Sequence, residues 1–311
     1  MPQQPSPQQT AGGTTMPSKV AFIGLGTMGL PMAVNLSSAG FDVTGYNRSP
    51  HKAQALAQRG GQAASSIAAA VDGADAVITM LPDSPDVETV LLGEGGVFAT
   101  APEGALVIDM STIIPETARA LAQEGEKRGF CVLDAPVSGG ESGAIAGKLA
   151  VMVGGPKTDV EAAAPLFEAV GATFVRVGPA GAGQTVKAAN QLIVAGNLQL
   201  VAEALVFLEG HGVDAEAAMS VLGGGMAGSA VLEQKGAGMR QRRFEPGFRA
   251  ELHDKDMRIA TSAAREAGVA IPVAALAAQF MAALCAQGDG ALDHSALLKI
   301  VEQLSGRQSP S

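Results

Sequence analysis

The sequence predicts an α/β protein, a doubly wound parallel sheet followed by an all-helical domain that a long helix opens. Short apolar runs alternate with helical stretches from Lys19 to Val177, a glycine turn directly follows the first run, and no convincing strand pattern continues beyond Gly183. Strand–helix alternation implies parallel strands with helices on both faces. At 311 residues the chain exceeds the usual single-domain size, so two domains are expected.

Val20-Ala21-Phe22-Ile23 is a short apolar run closed by Gly24, which reads as a buried parallel strand. Residues 28–39 suit a helix, and Gly40 is placed to end it. A second strand is expected over 41–46 and a helix over about 50–59. The strand 76–81 stops at Pro82; 106–110 follows, with a helix from about Pro115. Strands at 131–134, 150–153 and 173–177 complete the series. The character changes at Gly178-Pro179-Ala180-Gly181-Ala182-Gly183. Beyond it lie helical patterns at 185–209, 215–222, 230–239, 253–267 and 272–287. The expected organisation is therefore a disordered extension over 1–18, a nucleotide-binding domain over 19–180 and a helical substrate and oligomerisation domain over 181–311. No repeat with a fixed period of 20–50 residues is present.

Hydrophobic residues make up 47% of the chain and charged residues 16%, enough apolar material for a large core. The formal charge of -9 argues against a nucleic-acid partner or an anionic membrane, though not against a local basic pocket for a phosphate. Residues 1–18 have neither a charged n-region nor an apolar run, so they read as an extension and not as a signal peptide. The apolar stretch 192–208 is interrupted by Asn197, Gln199 and Glu203, and reads as a buried helix and not a membrane span. Cys131 and Cys285 form no CxxC pair; they read as small core residues in a reducing cytoplasm.

The turn Gly24-Leu25-Gly26-Thr27-Met28-Gly29 lies between the first strand and the first helix. Glycines there permit a tight turn, close approach to a pyrophosphate and close helix–strand packing. The helix N-terminus offers N–H groups and its positive dipole end to the phosphates. That context makes the domain Rossmann-type and the ligand a nicotinamide dinucleotide. NAD sites usually carry a carboxylate at the end of the second strand, whereas this chain has Asn47-Arg48-Ser49. Arg48 can pair with a 2′-phosphate, so NADP(H) is preferred and NAD(H) stays compatible. A solvated turn arginine is the competing reading of Arg48.

His51, His211, His253 and His294 have no metal-ligand spacing, so no metal is expected. Ser138 lies in Ser-Gly-Gly and not in a nucleophile elbow. Lys187 is more informative. It sits near the start of an apolar helix whose neighbours Val186, Ala188, Ala189 and Leu192 suggest burial nearly all round, with Asn190 and Gln191 on the same face. A helical lysine is normally a solvated charge. A buried one has its pKa lowered toward the range useful for proton transfer.

At these residues the sequence resembles the β-hydroxyacid dehydrogenase family, which includes 3-hydroxyisobutyrate dehydrogenase. The family opening is matched by Phe22-Ile23-Gly24-Leu25-Gly26-Thr27-Met28-Gly29, the substrate motif by Asp134-Ala135-Pro136-Val137-Ser138-Gly139-Gly140, and the catalytic helix by Gly181-Ala182-Gly183-Gln184-Thr185-Val186-Lys187-Ala188-Ala189-Asn190-Gln191. Within the family, Gly140-Glu141, Gly224-Gly225-Met226-Ala227-Gly228-Ser229, Pro246-Gly247-Phe248-Arg249 and Asp293-His294-Ser295-Ala296-Leu297 are most similar to the branch that reduces tartronate semialdehyde. The departure is Asn47, where many members that use NAD have Asp.

The resemblance implies reduction of tartronate semialdehyde to D-glycerate, with Lys187 as general acid and base. It implies that Ser138 and the N–H groups of Gly139 and Gly140 hold the substrate carboxylate, and that Asn190 and Gln191 orient the substrate. It places Thr112 near the nicotinamide and Leu81, Pro82 and Val87 against the cofactor. Phe248, Lys255 and Asp256 would close the cleft from the helical domain. Dimers or tetramers built on that domain are expected, which also suits a 25-residue apolar helix pattern from Thr185 to Glu209. Two readings compete. One is a relative acting on 3-hydroxyisobutyrate, L-serine, succinic semialdehyde or glyoxylate; the other is a non-catalytic dinucleotide sensor, against which Lys187 and the intact Ser138 turn argue.

Overall fold

A computed structural model describes residues 17–307, so most of the extension expected over 1–18 lies outside the described residues. The first domain contains β1 (Lys19–Ile23), α1 (Gly29–Ser38), β2 (Asp42–Tyr46), α2 (Pro50–Ala57), β3 (Gln62–Ala63), α3 (Ile67–Val71), β4 (Ala76–Thr79), α4 (Ser84–Leu92) and α5 (Val97–Thr100). It continues through β5 (Leu106–Asp109), α6 (Pro115–Lys127), β6 (Cys131–Asp134), β7 (Val137–Ser138), α7 (Gly140–Ala146), β8 (Leu149–Gly154), α8 (Lys157–Val170) and β9 (Gly171–Gly178).

The strands form one sheet in the order β3-β2-β1-β4-β5-β6-β8-β7, with β9 also on β8. From β3 to β6 every pairing is parallel. Chain order reverses between β1 and β4, which opens a crevice at their carboxyl ends. Consecutive residues of β1 pack on opposite faces: Phe22 joins Met32, Leu36 and Phe167, while Ala21 and Ile23 join Val77 and Val107. Burial on both faces is why the strand reads as an unbroken apolar run.

The far end of the sheet departs from the all-parallel expectation. β8 runs antiparallel to β6 and β7 in one continuous register, with Asp134 opposite Gly154, Val137 opposite Val151 and Ser138 opposite Ala150. The physical reason is the short return between β7 and β8. A parallel return needs a crossover of roughly a dozen residues or more. Here Gly139 (φ +138°) and Gly140 (φ +62°) turn the chain sharply into α7, and Gly147 (φ +63°) ends it.

The helical domain contains α9 (Ala182–Gly210), α10 (Ala215–Gly223), α11 (Ala230–Arg240), α12 (Ala250–Glu266), α13 (Pro272–Leu284) and α14 (Leu297–Leu304). α9 packs against α11, α12, α13 and α14, and its first turns lie against β8. It is long and apolar enough to cross a membrane, but Ala195, Leu198, Ala202 and Leu205 are fully buried, as in a core helix. Burial is not all round: Val186, Ile193, Leu200 and Phe207 form an exposed stripe at seven-residue spacing. The cysteines also differ from expectation. Cys131 is exposed at the start of β6, where the strand emerges from the core, and Cys285 is half-buried after α13; both are free thiols.

Candidate active site

The glycine turn needs its glycines for separate steric reasons. A Cβ on Gly24 (φ +100°) would lie 2.3 Å from the Met80 oxygen, and one on Gly29 would lie 1.9 Å from the Gly24 oxygen. A Cβ on Gly26 would meet nothing within 4 Å. Gly24 and Gly29 permit close packing, and Gly26 leaves open space in front of the helix. α1 has no side-chain cap; the Leu30 N–H goes to the Gly26 oxygen and Pro31 has none, which leaves the Gly29 N–H without a capping partner at that end. This cradle fits a pyrophosphate.

The space belongs to a cleft of about 530 Å³ at the switch between β1 and β4. Gly24, Gly26, Thr27, Met28, Gly29, Asn47, Arg48, Ser49, Leu81, Pro82 and Thr112 line it from the first domain. Phe248, Lys255 and Asp256 line it from the second. Two expected residues lie elsewhere. Leu25 is a core side chain whose N–H donates to Asn47 Oδ1 at 3.0 Å, and Val87 is fully buried among Ile23, Val77 and Leu91. The α4 residues that face the cleft are Asp86, Thr89 and Val90; Lys52, Arg249 and Leu252 join the lining as well. The sequence pattern gave no sign of Asp86, whose Oδ1 lies 3.8 Å from the Arg48 guanidinium. A second cavity, about 360 Å³, lies at the opposite, amino ends of β1 and β2 beside Lys19 and Asp42, away from the switch point.

Lys187 is buried in α9, and its Nζ donates to the Val137 oxygen at 2.7 Å. That bond places the ammonium next to Ser138, the half-buried residue that leads into Gly139 and Gly140. The start of α9 is fixed by Asp134, which accepts from the Gly181 N–H at 2.7 Å and the Gln184 N–H at 2.9 Å. A glycine is required at 183, where a Cβ would lie 2.4 Å from the Met152 oxygen. Burial pulls the Lys187 ammonium down to about 8, with Asp256 opposing that shift and Lys255 adding to it. An amine with that value is poised to give and take a proton near neutral pH.

A polar chain links the lysine's helix to the cleft. Asn190 Nδ2 donates to Gln191 Oε1 at 2.7 Å, and Gln191 Nε2 donates to Asp256 Oδ2 at 2.5 Å. Lys255 pairs with Asp256 at 3.0 Å, and donates to the Thr112 oxygen at 2.6 Å and the Pro82 oxygen at 3.1 Å. It thereby ties α12 to both loops of the first domain that flank the cleft.

Behind this chain lies a pair that no sequence spacing announces. His253 and His294, 41 positions apart, meet through their Nδ1 atoms at 2.9 Å, with Phe248 edge-on to both rings. His253 Nε2–H donates to the Gln191 oxygen at 3.2 Å. A carbonyl only accepts, so neutral His253 must accept at Nδ1 and His294 must donate. Burial holds both imidazoles below their ordinary value, His294 down to about 3.

Residues 19–178 match the family profile described as the NAD binding domain of 6-phosphogluconate dehydrogenase. Residues 181–301 match the one described as NAD-binding of NADP-dependent 3-hydroxyisobutyrate dehydrogenase. The chain is 39% identical over 290 residues to the 2-hydroxy-3-oxopropionate reductase of Escherichia coli (strain K12), covering 93% of this chain and 99% of the relative. It is 37% identical over 296 residues to the NAD-dependent L-serine dehydrogenase of Pseudomonas aeruginosa, covering 93% and 99%. Among solved structures, a 3-hydroxyisobutyrate dehydrogenase of Mycobacterium tuberculosis with L-serine superposes with a TM-score of 0.84 at 34% identity, covering 91% of this chain and 99% of that one.

Proposed function

The chain belongs to the β-hydroxyacid dehydrogenase family, an NAD(P)-dependent oxidoreductase acting on a hydroxyl group, and within that family we propose that it reduces tartronate semialdehyde to D-glycerate. The observation that carries the reading is Lys187, buried beside the Ser138 turn with its ammonium held near 8. The 39% identity to a 2-hydroxy-3-oxopropionate reductase supports this substrate, which is the same compound under another name.

When bound, the nicotinamide dinucleotide supplies or accepts the hydride. In this reading the residues of the chain do the rest. The Gly24–Gly29 turn and the α1 N-terminus hold the pyrophosphate, and the loops at Leu81-Pro82 and Thr112 form the wall of the cleft. Ser138 and the N–H groups of Gly139 and Gly140 hold the substrate carboxylate. Asn190 is oriented by Gln191 and, through it, by Asp256. Lys187 donates its proton to the aldehyde oxygen as negative charge develops there, and takes it back in the oxidative direction. The ammonium has three donors, and the Val137 oxygen uses one.

NADP(H) is the preferred cofactor in this reading, because Arg48 lies in the cleft and the carboxyl end of β2, Tyr46-Asn47, carries no carboxylate. Asp86 tempers that preference, since its charge lies close to Arg48. The stripe Val186, Ile193, Leu200 and Phe207 supports a homo-oligomer in which a second copy covers α9, because heptad-spaced apolar residues suit helix–helix pairing. The cytoplasm is the compartment that suits two free thiols.

The test is a panel of tartronate semialdehyde, methylmalonate semialdehyde, succinic semialdehyde, glyoxylate and L-serine, each with both cofactors. Tartronate semialdehyde should give the highest kcat/KM; a higher value for another substrate would reject the assignment. One methyl or hydroxyl group changes such ratios by about 10–200-fold, which the assay resolves readily.

A further inference from the structure

Gln184 is a buried polar residue that the steps above leave without a role. It is 1% exposed, lies in the first turn of α9, and precedes Lys187 by three positions on the same helix face. Its amide forks across the loop after β5: Nε2 donates to the Ser111 oxygen at 2.8 Å, and Oε1 accepts from the Ile113 N–H at 3.1 Å. These two bonds bracket Thr112, which lines the cofactor cleft. The Thr112 oxygen is taken from the other side by Lys255. The main-chain N–H of Gln184 is itself bound by Asp134, so the residue is tethered to the ends of both β5 and β6.

We infer that Gln184 is a positioning residue that ties the cleft wall at Thr112 to the helix turn bearing Lys187, keeping cofactor surface and proton donor at one separation. A glutamine amide supplies a donor and an acceptor in one fork, as these two peptide groups require. An ionised glutamate supplies only acceptors, and a methionine of similar length supplies neither bond. Misplacement by about 1 Å at a reacting centre costs on the order of 10²-fold in rate. The effect on turnover rests on the proposed role of Lys187, whereas the tie to Thr112 does not.

Gln184→Met and Gln184→Glu in the full chain test this, read by the Kd of NADPH and by kcat against pH. The chain contains no tryptophan, so emission from the reduced cofactor reports binding without that background. Gln184→Met should raise the Kd about 10-fold and lower kcat about 10–100-fold at every pH, from loss of two buried bonds. Gln184→Glu should behave differently. When protonated, its carboxyl restores the fork, with O–H to the Ser111 oxygen and C=O to the Ile113 N–H; when ionised, it does not. Its kcat and NADPH affinity, relative to the unaltered chain, should therefore stay close to one at acid pH and fall as pH rises. The same ionisation enters the folded fraction, so Kd and kcat are taken per folded molecule; a merely structural role leaves those two ratios flat while the folded fraction falls with pH.

An unchanged Kd in a folded Gln184→Met variant overturns the inference, as does a Gln184→Glu ratio that stays flat while the folded fraction of that variant falls with pH. Should Gln184→Met not fold, the Gln184→Glu ratio decides alone. If the unaltered chain turns over no semialdehyde, the proposed reaction fails, and the pH dependence of NADPH binding by Gln184→Glu still decides the tie.

Discussion

Lys187 donates to the main-chain oxygen of Val137 at 2.7 Å, while the start of its helix is held by Asp134, three residues before Val137. One short segment at the end of β6 therefore sets both the helix and the lysine upon it. The same segment then runs into the Ser138 turn. Local chain continuity thus brings the proton donor to the substrate turn, although Lys187 and Val137 are 50 positions apart.

Lys187→Met should lower kcat by about 10²–10⁴-fold and leave the Kd of NADPH within about threefold, because proton transfer is lost and the cleft is kept. The variant should also be at least as stable. An ammonium held at about 8 in the native chain and 10.5 when unfolded binds its proton more weakly in the fold. That difference costs about 3 kcal/mol at neutral pH, which the thioether removes, while the Val137 oxygen left without its donor costs about 1–3 kcal/mol. Steady-state kinetics and urea unfolding check the two halves, and unchanged turnover would remove Lys187 from the mechanism.

Arg48→Ala should raise the KM for NADPH by about 10-fold or more and that for NADH by less than about threefold, since a charge-assisted bond to a phosphate is worth about 1.5–3 kcal/mol. Asp86→Asn should act in the opposite sense, favouring NADPH by about threefold through removal of a nearby like charge at an exposed site. Equal effects on both cofactors from Arg48→Ala would mean that the guanidinium does not read the phosphate.

Asp134→Asn should destabilise the chain by about 1–3 kcal/mol, because one of two buried N–H groups, at Gly181 or Gln184, is left facing an amide NH₂. Burial pushes the Asp134 carboxyl up to about 6, against the lowering effect of those N–H donors. Thermal unfolding measures the loss, and a Tm equal to that of the unaltered chain would show that α9 does not need this anchor.

The histidine pair should make the fold sensitive to acid. Both imidazoles titrate below their ordinary value of 6.5 in the native chain, so the unfolded chain binds more protons as pH falls below about 6.5. The pair's contribution is intact above that value and declines toward the native value of His294, about 3. Tm recorded from pH 7.5 to 4.5 should fall less steeply in His294→Gln than in the unaltered chain. Parallel slopes would exclude the pair as the cause.

What the sequence disclosed was whatever rests on local sterics or on burial of both faces of an element. Gly24 and Gly29 have no room for a Cβ, and β1 is apolar at successive positions because both of its faces are covered. α9 was legible by its length. The antiparallel return at β8 was not, since its strand is as apolar as a parallel one and only the glycine geometry at 139 and 140 sets its direction. Asp86 and Val87 are neighbours on α4, and which of them faces the cleft depends on how that helix docks. His253 and His294 meet only because α12 folds back beside the turn that precedes α14. The exposed side of α9 likewise depends on how few helices one copy of the domain supplies.

The most direct test of a buried lysine as the proton carrier is the pair of pH–rate profiles for aldehyde reduction and alcohol oxidation. Reduction needs the ammonium and should fall as pH rises through about 8, while oxidation needs the free amine and should rise through the same value. Both inflections should vanish in Lys187→Met. Profiles that move in the same direction, or inflections that survive the substitution, would contradict the account.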